Sequence, residues 1–175
     1  MRKAVLLGVI AVFLLGWAPV VCRAQSVGDY ASGAAPKGGG WNVPPGQYGL
    51  LASYADFFLS NGPNNGSYVI TWAILTGNDN PDKADVLADF FIVDVRTATV
   101  FSGGHLAGAV NLPYPDLAKP SSLAVLPTDR PILVVCGSGL QSAQGAAILG
   151  MLGYNVRILS GGMAVVPASY KVTGQ

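Results

Sequence analysis

From Phe90 onward the sequence alternates short apolar segments with segments of helical composition. The apolar segments are FFIVDV, PILVV and VRIL, and the stretch SAQGAAILGMLG, rich in alanine and leucine, follows the second of them. Continuous apolar runs are typical of strands buried on both faces, and their alternation with helices favours a parallel sheet. The pattern therefore predicts an α/β domain with a mostly parallel central sheet and helices on both faces.

The first residues carry a different pattern. Two basic residues precede an apolar run from Ala4 to Val21, and the small residues beyond it are typical of a signal peptide cleaved before Gln25. We therefore predict that residues 1–24 are a signal peptide and that the protein is exported to the periplasm or the cell exterior. The run at 4–21 is also long enough for an uncleaved membrane anchor, and this alternative stays open.

Cleavage would leave 151 of the 175 residues, a length that suits one domain with one core. Residues 25–49 are rich in Gly, Ala and Pro and are predicted to form an arm. Residues 50–67 are predicted to be a short helix and linker, because LLASYADFFL has apolar residues at helical spacing and Asn-Gly-Pro follows it. The α/β domain is assigned to residues 68–175, and we find no internal repeat.

The charge of the cleaved chain is low. Ten basic residues minus those at positions 2, 3 and 23 leave seven against nine acidic residues, all Asp, which gives a formal charge of −2. This distribution supplies no basic field for nucleic acid. The single histidine and the single cysteine beyond the predicted cleavage site give no metal site of dedicated spacing. We predict neither a nucleic-acid partner nor a metal.

That cysteine, Cys136, ends the apolar strand PILVV and precedes a loop with glycines at positions 137 and 139. A thiol at this place faces the first turn of the next helix, whose unpaired N–H groups and dipole stabilise an anion. A thiolate is therefore favoured. An intramolecular disulfide would need a second cysteine, so Cys136 is a working thiol, a buried bystander or an intermolecular bridge.

Three motifs resemble those of rhodanese-like domains. DVRTATVFSGGHLAGAVNLPYPDL at 94–117 resembles the first signature of the family, CGSGLQSA resembles its active-site loop, and LSGG at 159–162 resembles the Leu-x-Gly-Gly after its last strand. The resemblance covers about Tyr68 to Val166. It implies a small three-layer α/β domain that transfers sulfane sulfur.

By this resemblance, Cys136 would take the outer sulfur of a small sulfur-containing donor as a persulfide and pass it to a thiol or to cyanide. No dissociable cofactor is implied. The glycines of the loop are expected to turn N–H groups toward the sulfur, and Ser142 is expected to cap the next helix. The implied substrate-binding loop consists of Gly137, Ser138, Gly139, Leu140, Gln141 and Ser142.

The loop also departs from the family pattern. Many thiosulfate-using members place Arg or Lys here, whereas this loop is uncharged and Gln141 stands where Arg is common. We therefore expect weak use of thiosulfate. CGSG is similar to the loop of mercaptopyruvate sulfurtransferases, which implies that Ser138 could assist the reaction. Related phosphatases carry an Arg six residues after the cysteine, and Ser142 at that position argues against phosphatase activity.

Three residues of the first signature are expected to support the site. Asp94 and Arg96 follow a strand, where we expect them to pair or to bond to the backbone. His105 is expected to fix a turn, because that is the place of the Gly-His pair in the family. A Cys–His dyad is the alternative for His105.

Two alternatives to a sulfurtransferase remain. One is a non-catalytic rhodanese-like module that binds a protein partner or a sulfur compound in an envelope assembly, with the Gly-rich arm as its attachment. The other is a persulfide carrier that serves another protein.

Overall fold

The computed structural model describes residues 45–61, 67–77 and 86–174. The predicted signal peptide and the arm before residue 45 lie outside these ranges. Within them, every helix is too short or too polar to cross a membrane. The apolar run at 4–21 lies outside the described residues.

The described residues form a sheet domain preceded by one longer helix. The helices are α1 (Pro45–Ser60), α2 (Trp72–Leu75), α3 (Ala98–Ser102), α4 (Pro120–Leu123) and α5 (Leu140–Met151). The strands are β1 (Val69–Ile70), β2 (Phe91–Asp94), β3 (His105–Leu106), β4 (Val110–Asn111), β5 (Ile132–Val135), β6 (Val156–Leu159) and β7 (Lys171–Val172). Short 3-10 helices lie at Leu87–Asp89, Tyr114–Asp116, Gly162–Ala164 and Ala168–Tyr170.

The central sheet has five strands in the order β1-β6-β5-β2-β4, and every neighbouring pair is parallel. The predicted α/β fold with a mostly parallel sheet is therefore confirmed. Because the strands are parallel, their carboxyl ends meet at one edge. The segments that follow β5, β2 and β6 lie side by side there.

Two apolar clusters cover the two faces of the sheet, and β5 shows how one strand serves both. Leu133 and Val135 pack in the cluster that holds Phe101 of α3, whereas Ile132 and Val134 pack in the cluster that holds Leu149 of α5. Successive side chains of a strand point to opposite faces, so a strand buried on both sides must be apolar at every position. This requirement explains the continuous apolar run that predicted the strand.

Helix α1 begins at Pro45, five residues before its predicted start at Leu50. Residues 45–49 therefore belong to the helix, and the predicted arm is too long by that stretch. Proline is favoured in the first turn of a helix, and Gly49 is buried within this added turn. The antiparallel pair β3–β7 was not predicted, because strands of two residues leave no recognisable pattern in the sequence.

The end of α1 is fixed to the domain by Phe58. Its ring stacks on Tyr68 with centroids 4.0 Å apart, and a Cβ added at Gly150 of α5 would overlap the ring. The Tyr68 hydroxyl also donates a hydrogen bond to the carbonyl oxygen of Phe58. Gly150 is therefore required by the ring that lies on it.

We expect Gly150→Ala to lower the free energy of unfolding by about 1–3 kcal/mol, because the new methyl group overlaps the Phe58 ring. In a Phe58→Ala background the same change should stabilise by roughly 1 kcal/mol, since Ala is the better helix former. Urea unfolding of the four variants in this cycle measures both effects. A destabilisation of equal size in both backgrounds would show that Phe58 does not lie on Gly150.

Candidate active site

Cys136 is the first residue after β5 and lies at the carboxyl edge of the sheet. Only 2% of its surface is exposed. The backbone N–H of Gly139 donates to the sulfur with an N–Sγ distance of 3.1 Å, and Ser142 Oγ lies 3.5 Å from Sγ. Gly139 has φ +106°, a left-handed conformation that favours glycine. The loop thus folds back so that the Gly139 N–H and the Ser142 hydroxyl oxygen lie next to the sulfur.

The turn after β6 holds this loop in place. Met163 N–H donates to the carbonyl oxygen of Cys136 at 2.8 Å, and Ala164 N–H donates to that of Gly137 at 3.1 Å. Gly162 has φ +56°, and a Cβ there would overlap the Cys136 carbonyl oxygen. Because the Gly137 carbonyl is directed to this turn, the N–H of the same peptide group, that of Ser138, is left for the sulfur. The LSGG motif therefore acts on the cysteine through the backbone.

The surroundings of the thiol act on its pKa in opposite directions. Burial is the largest influence and raises the pKa of Cys136, because it disfavours the charged form. The Ser142 hydroxyl and the backbone N–H groups of Ser142, Gly139 and Ser138 lower it, and together they prevail, so that the pKa is below its ordinary value. Hydrogen bonds to a charged group contribute roughly 1.5–3 kcal/mol each, which explains how several outweigh one burial cost.

The predicted loop is shorter than expected, since Leu140 to Ser142 form the first turn of α5. Ser142 was predicted to cap this helix, and that prediction is wrong. The helix starts after Gly139 without a side-chain cap, and Ser142 is fully buried, with its hydroxyl donating to the Gly139 carbonyl oxygen at 2.9 Å. A serine near a helix start suggested a cap. Ser142 is instead the third residue of α5, and its side chain lies next to the sulfur.

The other loop residues differ in exposure and in whether their backbone conformation requires glycine. Gly137 is exposed, lacks a positive φ, and has nothing within 4 Å of an added Cβ, so only Gly139 of the two glycines needs to be glycine. Ser138, Leu140 and Gln141 are at the surface. Ser138 reaches the sulfur through its backbone N–H.

Asp94 and Arg96 form the expected pair at the end of β2, the neighbour of β5. Arg96 Nη2 lies 2.6 Å from Asp94 Oδ2, and Arg96 also donates to the Gly104 carbonyl oxygen at 2.7 Å. The buried carboxylate is thereby compensated. Asn111 was missed by the sequence analysis: its side-chain N–H₂ donates to the carbonyl oxygens of Asp94 and Arg96. Asn111 lies in the first signature, as the Asn of Asn-Leu-Pro, and this position was the signal from which it could have been found.

His105 is buried on β3, outside the five-stranded sheet. Its Nδ1 lies 2.9 Å from the Phe101 carbonyl oxygen, and its ring stacks on the Phe101 ring at 3.7 Å. These contacts agree with a role in fixing the turn, and no described hydrogen bond joins His105 to Cys136. Across the described ranges, no group of three or more His, Cys, Asp or Glu side chains could hold a metal ion.

A family model described as the rhodanese-like domain matches residues 78–166. The chain belongs to the rhodanese-like family. The match contains the Asp94–Arg96 pair, the cysteine loop and the turn after β6 within one stretch. The arrangement described above is therefore that of a rhodanese-like domain.

Rhodanese-like relatives include thiosulfate sulfurtransferase PspE of Escherichia coli (strain K12), which is 32% identical over 47% of this chain and 78% of the relative. Thiosulfate sulfurtransferase GlpE of Shewanella oneidensis is 39% identical over 42% of this chain and 71% of the relative. Uncharacterized protein YibN of E. coli K12 is 37% identical over 43% of this chain. The matched region spans 54% of YibN.

Solved structures agree on the fold. A rhodanese-related protein from Thermoplasma volcanium has a TM-score of 0.50 at 24% identity, and a rhodanese-like domain protein from Staphylococcus aureus has 0.50 at 23%. Each comparison covers 61% of this chain and 98% of the solved one. Nearly the whole of each small domain therefore has a counterpart here.

We predict that Gly162→Ala disrupts the sulfur environment, because the new Cβ overlaps the Cys136 carbonyl oxygen and the left-handed conformation is strained. Alkylation of Cys136 by iodoacetamide near neutral pH should slow severalfold. Gly137→Ala is the matched control and should react as the wild type does, since its Cβ meets open space. Equal rates for both variants would contradict the role of the turn after β6 in holding the cysteine loop.

Ser142→Ala should raise the pKa of Cys136 relative to the wild type, because the lost hydroxyl stabilises the thiolate more than the thiol. The fraction of thiolate at neutral pH then falls. The measurement is the pH dependence of iodoacetamide alkylation, followed by mass spectrometry of the Cys136 peptide. Gln141→Ala, at an exposed position one residue earlier, should leave the titration unchanged. An unaltered titration in Ser142→Ala would show that the hydroxyl does not lower the pKa of Cys136.

Proposed function

We propose that this protein is a sulfurtransferase in which Cys136 carries sulfane sulfur as a persulfide between a donor and a thiol or cyanide acceptor. The observation that supports this proposal most directly is that backbone N–H groups and the Ser142 hydroxyl converge on one buried sulfur. Membership of the rhodanese-like family and the relatives named as thiosulfate sulfurtransferases support the same reaction class.

The first half of the reaction loads the cysteine. The Cys136 thiolate attacks the outer sulfur of the donor, a new S–S bond forms, and the bond between the donor's outer and inner atoms breaks. With thiosulfate the leaving group is sulfite, which takes the bonding electron pair. The product is the persulfide anion, and its negative charge faces the same N–H donors as the thiolate did.

The second half unloads the sulfur. Cyanide or a thiolate attacks the outer sulfur of the persulfide, and the Cys136 thiolate leaves with the electron pair of the S–S bond. Thiocyanate or an acceptor persulfide is released. The N–H groups of Ser138, Gly139 and Ser142 stabilise the thiolate that attacks in the first displacement and leaves in the second.

Ser142 has a specific task in this cycle. When Cys136 is protonated, its S–H can donate to Ser142 Oγ while the Ser142 hydroxyl donates to the Gly139 carbonyl oxygen. A serine has one hydroxyl proton, so donation to the thiolate requires the hydroxyl to rotate away from that carbonyl. The residue thus exchanges one partner for another as the sulfur gains or loses its charge.

The cellular setting is also proposed. The apolar run at 4–21 supports export with cleavage at Gln25, or attachment to the membrane if it is retained. The near-complete burial of Cys136 in an uncharged loop favours, as a second candidate, a module that binds a partner protein of the envelope without turnover.

Treatment of the full chain with thiosulfate, mercaptopyruvate or polysulfide should add the mass of one sulfur atom to the peptide that contains Cys136. Cyanide should remove that mass with release of thiocyanate, because the outer sulfur is electrophilic. Cys136→Ser should gain nothing, which separates this thiol from Cys22. If a folded, reduced sample gains no sulfur from any donor, the enzyme and the carrier are both excluded and the binding module remains.

A further inference from the structure

Helix α1 has an apolar face that the rest of the domain covers at one end only. Its side chains recur at intervals of three and four residues, the spacing that places them on one side of a helix: Leu50, Leu51, Tyr54, Phe57 and Phe58. Phe58 is buried, whereas the other four are 43% to 49% exposed. These four residues are the α1 face. The side of α1 that packs on the domain through Phe58 therefore continues uncovered for about two further turns.

The α1 face carries no charge. The one charged residue of this helix, Asp56, lies about 200° around the helix from Tyr54, and there the Ser60 hydroxyl donates to its carboxylate at 3.3 Å. Helices that rest on a lipid surface usually carry Lys and Arg on their polar side, and α1 contains neither. A contiguous exposed apolar surface without such cations is better suited to a protein partner than to anionic lipid.

The pattern of this face is the same in both directions from Tyr54. Leu51 and Phe57 lie three residues before and after it, and Leu50 and Phe58 lie four residues before and after it. Two copies of α1 that cross antiparallel about a twofold axis at Tyr54 would therefore place Leu51 of each copy on Phe57 of the other. Because the face is uncharged, this pairing brings no like charges together.

A cleft beside the covered end of α1 offers a place for Leu50 of a second copy. Its volume is about 220 Å³, and its lining includes Phe57, Phe58, Tyr68 and Tyr154. In the antiparallel pair, Leu50 of one copy lies level with Phe58 of the other, at the edge of this cleft. An apolar cavity of about 150 Å³ can hold benzene. The cleft therefore has room for a leucine side chain.

We propose that the α1 face is the interface of a homodimer, in which α1 of one copy packs antiparallel on α1 of a second copy. Its four side chains are about half exposed, so covering them buries roughly 400 Å² per copy. Apolar atoms make up about 65% of a homodimer interface, so the two copies together bury about 1,200 Å², the lower limit of standard interfaces. A contact of this size supports association at about tens of micromolar.

Sedimentation velocity of the full chain measures the association. We expect the wild type to pass from monomer to dimer between about 5 and 200 µM. Tyr54→Asp and Tyr54→Lys should each weaken the dimer at least about tenfold, because the twofold axis brings two like charges together. An equimolar mixture of these two variants should dimerise again, since opposite charges then meet at the axis. This recovery also shows that both variants are folded.

Leu51→Gln and Leu59→Gln are a matched pair on the same helix. Leu51→Gln removes an apolar contact of the α1 face and should raise the dissociation constant by about fivefold to tenfold. Leu59 is 71% exposed, more than any residue of the face, but lies about 140° around the helix from Tyr54. Leu59→Gln should therefore leave the dissociation constant unchanged.

Four outcomes would overturn the inference. A wild type that stays monomeric at the highest concentration has no such interface, and a mixture of the charged Tyr54 variants that does not dimerise shows that the faces do not meet at this residue. Association that persists in every α1 variant, or that weakens equally in Leu51→Gln and Leu59→Gln, lies elsewhere, for example in the apolar run at 4–21. Monomeric protein that floats with phosphatidylcholine vesicles, and does so less after Leu51→Gln, would show that the face rests on lipid.

Discussion

The sulfur environment depends on two hydrogen bonds that do not touch the sulfur. Met163 and Ala164 donate to the carbonyl oxygens of Cys136 and Gly137, and this fixes the direction of the peptide groups that follow. Since a peptide group directs its N–H opposite to its C=O, holding the Gly137 carbonyl at the neighbouring turn directs the Ser138 N–H toward the sulfur. The arrangement requires β5 and β6 to be adjacent and parallel, which the sheet provides.

The position of Cys136 combines two opposing demands. A buried thiol excludes water and is protected from unwanted reactions, but burial disfavours the thiolate. The described donors are all uncharged, and they lower the pKa without an ion pair. The N–H groups of Ser138, Gly139 and Ser142 therefore stabilise a buried thiolate without the help of a charged side chain.

Much of the fold could be predicted because the chemistry of parallel sheets leaves a strong signal. The apolar run 132–135 must be buried on both faces, and glycines with cysteine at its end mark the turn into a helix. Other features depend on contacts distant in sequence. The role of Gly150 follows from the Phe58 ring, and that of Asn111 from the carbonyl groups of β2 and the residues after it. Ser142 was placed correctly near the cysteine, but its direction depends on where α5 begins.

The most direct test of the account is a crystal structure of the protein after treatment with a sulfur donor. The account predicts one additional sulfur bonded to Cys136 Sγ, with the N–H groups of Gly139 and Ser142 within hydrogen-bonding distance of the two-sulfur group and the Ser142 hydroxyl turned toward it. An added sulfur directed away from these donors, with the Ser142 hydroxyl still bonded to the Gly139 carbonyl oxygen, would contradict the account.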